Sequence, residues 1–295
     1  MKVEIECLSC IIHRGYLEIA EATEDPTLQF RAAKALLEYM AEEFKPDAVA
    51  AILGTVRDRI IKRISGNFDV YAERKRLSNK MAMELLPSLK GVIEKEILPE
   101  NRFRKACLAA IVGNIIEFDI PGHEVNLKEI GKLIANAEKD LAVDEISAIY
   151  KKAKKAENTL FLTDNAGEIV FDKLLINELK QLNTEVTVVV KGGPILNDAT
   201  LEDAKVASIY DIADAVITTG ADAVGLPLPE EQSKEFVEAY DIADFVIAKG
   251  MGYAETLTEI KLKQPHAFLL RTKCNPVAQY FGVVRGKNVA KLVKP

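Results

Sequence analysis

Asp164 and Asn165 stand side by side directly after a short apolar run, Thr159-Leu160-Phe161-Leu162-Thr163. A carboxylate and a carboxamide oxygen so placed can share a hard divalent ion of the Mg or Mn type. The same pair can also cap the helix whose pattern begins near Gly167. Asp198, in Asn197-Asp198-Ala199-Thr200, is either a further carboxylate for that ion or the N-cap of a helix starting near Thr200. Glu168 and Asp172 either hydrogen-bond to metal ligands and metal-bound water or lie on the helix surface. Lys273 follows another apolar run, where it is a solvated lysine or a flexible point cation for phosphate. Gly167, Gly250 and Gly252 would let backbone N–H groups approach an anion.

Several familiar chemistries are excluded by the same text. Gly250-Met251-Gly252 begins a dinucleotide fingerprint, but position 255 is Glu, which leaves it incomplete. No P-loop pattern occurs. An aspartyl-phosphate enzyme would want a second Asp two residues after Asp164, and position 166 is Ala.

The elements that must position these residues fall into two groups. From Met1 to about Glu157 apolar residues recur three and four apart, giving helices near 7–23, 27–43, 47–64, 71–96 and 101–117 and no persuasive strand. After that the period changes. Apolar runs at Thr159–Thr163, Glu185–Val190, Ala215–Thr218, Phe245–Ala248 and Ala267–Leu270 alternate with amphipathic helical patterns. Such continuous runs indicate a parallel sheet covered on both faces. The expected architecture is an all-α N-terminal domain, 1–157, followed by a Rossmann-like, three-layer α/β domain, 158–295. In such sheets ligands bind outside the carboxyl ends of the strands. That edge is where Asp164, Asn165, Asp198, Gly250 and Lys273 all fall. Tyr210–Ile217 recurs in kind as Tyr240–Ile247 thirty positions later, the length of one βαβ unit, and no function is drawn from the repeat.

Composition narrows the setting. Hydrophobic residues at 48% and charged residues at 28% are ordinary for a globular chain of 295 residues, which as a prior means about two domains. The net charge of -6 gives no general attraction to nucleic acid or anionic membrane. No apolar run spans a bilayer and the N-terminus lacks a secretion signal, so a cytoplasmic location is expected. Four cysteines are too few for a disulfide scaffold. Cys7 and Cys10 share one helix face. They are core residues, a redox pair, or, with Cys274, ligands of a soft metal; His13, one turn beyond Cys10, is either a further ligand or an ordinary helix residue.

The ordered set Thr163-Asp164-Asn165-Ala166-Gly167-Glu168, Lys191-Gly192-Gly193-Pro194 with Asn197-Asp198, Lys249-Gly250-Met251-Gly252 and Arg271-Thr272-Lys273-Cys274 resembles the DUF89 family of damage-control phosphatases. Cys7-Leu8-Ser9-Cys10 and Gly113-Asn114-Ile115-Ile116-Glu117-Phe118 extend the resemblance over nearly the whole chain. It implies a helical domain packed on an α/β domain. It also implies a divalent ion (Mn, Ni, Co or Mg) held by Asp164, Asn165 and Asp198, with Lys273 on substrate phosphate. The Cys-x-x-Cys resembles the mark of subfamily I, for which damaged purine nucleotides or related intermediates are suggested substrates. Glu117 stands where Asp is more usual, and Tyr253 where Asn is.

The reaction expected is hydrolysis of a phosphomonoester on a small metabolite. The ion would bind a phosphate oxygen and lower the pKa of an attacking water. Asp164, Asp198 and Lys273 would serve the reaction, and backbone N–H groups near Gly167 and Gly250 would stabilise developing charge. Two other classes compete: a carboxyl methyltransferase using S-adenosylmethionine, and a non-catalytic nucleotide-binding module. The oligomeric state is open.

Overall fold

The computed structural model describes residues 1–113 and 130–295. Asn114 to Phe118 of the motif noted above, Glu117 among them, and with them the end of the helix expected near 101–117, lie outside the described residues.

The first half is helical for local reasons that can be read at each end. Helix α1 (Ile5–Ala22) opens on a capping box between Glu4 and Cys7. Helix α2 (Pro26–Glu43) opens on Asp25, whose side chain accepts from the Thr27 N–H, with Pro26 in the first turn where proline costs no hydrogen bond. Helix α3 (Ala50–Ser65) stops at Gly66, which adopts the left-handed conformation at φ 75°. Helices α4 (Ala72–Glu94) and α5 (Pro99–Val112) follow. From Ala106 to Val112 every residue of α5 is at most 1% exposed. A helix apolar all round belongs inside a protein, and α5 lies between α4 and the sheet side of the molecule.

Helices α6 (Ile130–Lys139) and α7 (Ile146–Ala153) flank strand β1 (Leu141–Asp144). A strand therefore lies ahead of position 157, where the sequence pattern gave only helix. The remaining strands are β2 (Asn158–Leu162), β3 (Glu185–Val190), β4 (Ala215–Thr218), β5 (Phe245–Lys249), β6 (His266–Arg271) and β7 (Asn288–Val293). Among the described residues they form one sheet in the order β1-β7-β6-β5-β2-β3-β4. The five strands expected from the sequence are mutually parallel. The two unexpected ones extend one edge, β7 antiparallel to β6 and β1 parallel to β7.

Alternate residues of each strand enter opposite cores, as the period of two requires. Phe161, Val188, Ile247 and Leu269 pack with α4, α5, α7 and helix α8 (Glu168–Lys180). Leu160, Leu162, Val189, Val246 and Phe268 pack with helices α10 (Lys234–Ile242), α11 (Gly250–Leu257) and α12 (Asn275–Tyr280). This is the three-layer α/β arrangement. Helices α1 to α3 close on two smaller apolar clusters of their own.

The repeated Asp214 and Asp244 have the same structural task. Asp214 accepts the Val186 N–H at 2.6 Å, and Asp244 accepts the Glu157 and Asn158 N–H groups at 3.0 Å each, so each carboxylate binds the start of a neighbouring strand. No described helix is long and apolar enough to cross a membrane.

Candidate active site

Chain order along the sheet reverses between β2 and β5: from β2 the chain goes outward to β3 and β4, then returns to add β5 and β6 on the other side. Loops diverge at such a point and leave a crevice at the carboxyl ends of the strands. Asp164 follows β2 and Gly250 follows β5, directly at that crevice.

The loops after β2 and β3 are zipped together by main-chain bonds. Ala166 N–H donates to Asn197 O at 2.9 Å and Ala199 N–H to Asp164 O at 2.8 Å, with an antiparallel bridge between Asn165 and Asp198. The carboxylate of Asp164, the amide of Asn165 and the carboxylate of Asp198 are thus brought together. The capping alternatives fail. Gly167 is the N-cap of helix α8 and donates its N–H to Asn79 Oδ1 of α4 at 2.7 Å, and helix α9 (Leu201–Val206) is capped by Thr200 in a box with Asp203.

Burial and charge set the electrostatics. Burial pushes Asp164 well above the usual carboxylate range, and the negative charges of Glu168 and Asp198 add to this against Lys273 and Lys249. Asp198 is pushed up to about 6, by burial first, with Lys191 opposing and Asp58 and Glu168 adding. Asp172 is pushed up to about 7 by burial, with Lys249 opposing.

Two lysines that the sequence reading left without a role supply the local positive charge. Each is the residue between an apolar strand and a glycine, a position where a solvated lysine reads identically in sequence. Lys249 is fully buried and donates to Glu168 Oε1 at 2.5 Å, Asp172 Oδ1 at 2.7 Å and Ala110 O of α5 at 2.9 Å. Although burial opposes its charge, Asp172 and Glu168 hold the ammonium above the usual lysine range. Glu168 and Asp172 are therefore interior residues and not surface positions of α8. Lys191 donates to Gly225 O at 2.6 Å, sits 3.5 Å from Asp198 Oδ2, and lies 4.0 Å from the ring centroid of the buried Tyr253.

The helical half also reaches the site. Asp58 of α3 accepts the Leu196 N–H at 3.3 Å, Lys62 donates to the Pro194 carbonyl, and Thr55 accepts the Val224 N–H at 3.0 Å. These contacts across more than 130 positions of sequence left no local signal.

The three glycines differ in their surroundings. The Gly167 N–H is engaged by Asn79, so it does not serve as an anion donor. Gly250, at φ 76°, lies so close to Asp164 that a Cβ there would meet Oδ2 at 1.9 Å. Gly252 packs against Gly225 and Val224. Lys273 is exposed beside the crevice, its main-chain N–H donating to Met251 Sδ at 3.2 Å. Its charge reaches Asp164.

Cys7, Cys10, Cys107 and Cys274 are free thiols. Burial pushes Cys274 up to about 11 and raises Cys7 as well, which keeps both protonated near neutrality. His13 is exposed and stacks on Tyr16.

Among the described residues no group of three or more His, Cys, Asp or Glu side chains could hold a metal ion. This gives no support to a soft-metal site at Cys7, Cys10 and Cys274. The oxygen set at the crevice is of another kind, two carboxylates and one amide, with the remaining positions of a hard ion left for water or substrate. Its donors fit such an ion: burial first, and neighbouring negative charge after it, raises both carboxyls, and a cation would favour their charged forms.

By fold the protein is an open α/β protein with hard oxygen donors gathered at its topological switch point. It belongs to the damage-control phosphatase ARMT1-like domain family, whose model matches residues 3–289. It is 41% identical to an uncharacterised protein of Methanocaldococcus jannaschii, over 98% of this chain and 95% of that one. It is 37% identical to a damage-control phosphatase of Archaeoglobus fulgidus over the whole of both chains. A damage-control phosphatase of Pyrococcus horikoshii is 36% identical over 97% of this chain and 96% of that one. The crystal structure of the Pyrococcus DUF89 protein superposes with a TM-score of 0.87 over 98% of each chain.

Proposed function

We propose that the protein is a metal-dependent phosphatase that hydrolyses phosphomonoesters of small metabolites in a damage-control role, with damaged purine nucleotides as one candidate class. The observation that carries this reading is the pairing of the β2 and β3 loops, which sets Asp164, Asn165 and Asp198 beside one another at the switch point. The names of the Archaeoglobus and Pyrococcus relatives point the same way. They favour neither methyl transfer nor a non-catalytic module.

Asp164, Asn165 and Asp198 would hold the divalent ion, with Mn, Co, Ni and Mg as candidates. When bound, such an ion polarises a phosphoryl oxygen and activates water. Lys273, exposed at the rim, would reach a phosphate oxygen with up to three N–H donors and no competing lone pair. Lys191 holds Asp198 from beneath, and Gly250 leaves room for the Asp164 carboxylate. The crevice thus combines a cation site with a separate ammonium, as charge transfer to a leaving oxygen requires.

The test is turnover of p-nitrophenyl phosphate after exhaustive chelation. Activity should be absent, and should return with Mn, Co, Ni or Mg. Unchanged turnover in the chelated protein would refute metal dependence, and no turnover with any metal would refute the phosphatase reading for this substrate class.

A further inference from the structure

Beneath the candidate site lies a chain of hydrogen bonds whose direction is fixed by the chemistry of its members. Lys249 has only donors, and three acceptors surround it: Ala110 O, Glu168 Oε1 and Asp172 Oδ1, at 2.9, 2.5 and 2.7 Å. Lys249, Glu168 and Asp172 are at most 1% exposed, so water does not compete for these bonds. Glu168, paired to the ammonium through Oε1, is a carboxylate and can only accept. Its other oxygen, Oε2, faces Asn165 at 3.2 Å, so Asn165 must present a donor there, its Nδ2. The same nitrogen also donates to Asp164 Oδ2, at 3.0 Å. With both N–H groups of the amide engaged in this way, a reversed amide would lose its bond to Glu168 Oε2 and set Oδ1 against that acceptor.

We propose that Lys249 and Glu168 are positioning residues that act through Asn165. The relay takes up the amide nitrogen, which leaves the amide oxygen as the atom Asn165 would offer to a hard cation. This rests on the metal-dependent reading above. The relay also ties α5, through Ala110, to the end of β5 and the first turn of α8, so three elements share one buried charge.

Glu168→Gln is the test, because it keeps the volume and changes the donors. The Gln carbonyl oxygen must accept from Lys249, which leaves its NH2 group facing Asn165 Nδ2. The Asn165 amide then has to turn. In metal-free protein labelled with 15N-asparagine, with Asn165→Asp identifying the resonance, the wild-type Asn165 NH2 should exchange slowly with solvent. In Glu168→Gln its exchange should be markedly faster. Mn(II) affinity by titration calorimetry should fall about ten- to a hundredfold, the range for losing an outer partner of a metal ligand. Lys249→Met should shift both readouts in the same direction. If that variant fails to fold, since it strands two buried carboxylates, Glu168→Gln alone decides. Wild-type exchange and wild-type Mn(II) affinity in Glu168→Gln would overturn the relay. Absence of Mn(II) binding by the wild-type protein would instead overturn the metal reading, and with it the ligand assigned to Asn165, whatever the exchange rates.

Discussion

Gly250→Ala separates a backbone effect from a displacement of Asp164, because the fold supplies its own control. Gly250 and Gly66 have nearly the same conformation, φ 76° and 75°. A Cβ on Gly66 would meet nothing within 4 Å, whereas on Gly250 it would lie 1.9 Å from Asp164 Oδ2 and 2.1 Å from Cγ. Alanine in the left-handed region costs about 1–2 kcal/mol at either position. At Gly250 the carboxylate must also retreat by about 1 Å to reach even a tight contact, since optimal non-bonded separations are about 3.5–4 Å. A misplacement of that size costs about a hundredfold in rate. Thermal denaturation and kcat/KM for p-nitrophenyl phosphate with Mn would be measured on both variants. Gly66→Ala should lose about 1–2 kcal/mol of stability and keep its activity. Gly250→Ala should lose at least as much stability and about a hundredfold in kcat/KM. If Gly250→Ala were as active as Gly66→Ala, the position of Asp164 against Gly250 would not be what the reaction requires.

Asp164→Ala and Asp198→Ala should each abolish most turnover while circular dichroism stays native, and full activity in either would remove that residue from the metal set. Lys273→Ala should leave Mn(II) affinity near wild type and lower kcat/KM by roughly ten- to a hundredfold, the worth of a charge-assisted hydrogen bond; loss of metal binding with phosphate affinity unchanged would contradict this. The raised carboxyls of Asp198, at about 6, and Asp172, at about 7, lie above the unfolded value of 3.8. Their contribution to stability is therefore present below that value and lost as pH rises to about 7. The melting temperature of chelated protein should fall over that interval, Asp172→Asn should flatten the fall, and a melting temperature that rises from pH 4 to 7 through these groups would refute the assignment. Cys7→Ser combined with Cys10→Ser should leave phosphatase turnover intact even if stability drops, and its loss would place a thiol in the chemistry.

The central strands were legible because each is a short, continuous apolar run ended by polar or glycine-rich text. Strands β1 and β7 lack that signature. Leu141–Asp144 is short and alternates between half-buried and exposed, and Asn288–Val293 carries Lys291 in its middle, so neither stands out as a continuous apolar run. Asp164, Asn165 and Asp198 stood out as candidate oxygen donors because strand ends of a parallel sheet are where ligands gather, and the paired loops bring the three together. The buried lysines were not, because burial is decided by neighbours that arrive from elsewhere in the chain: Glu168, Asp172 and Ala110 around Lys249, Gly225 and Tyr253 around Lys191. Asn79 capping Gly167 and Asp58 holding Leu196 are likewise products of the tertiary fold.

The repeated aspartates bear on the crevice from the opposite side of the molecule. Parallel strands have no hairpin to align them, and a slip of one residue turns every side chain to the wrong face. Asp244 clasps the first amides of β2 from the β5 side, and Asp214 clasps the start of β3 from the β4 side. Those clasps sit about 17 Å from the reacting edge, the length of a strand of this size. The alignment they impose is carried up the ladder to Asp164, Lys191 and Lys249. A sequence repeat to which no chemistry is assigned thus works as a datum line: it sets the height at which β2 and β3 deliver their last residues to the site.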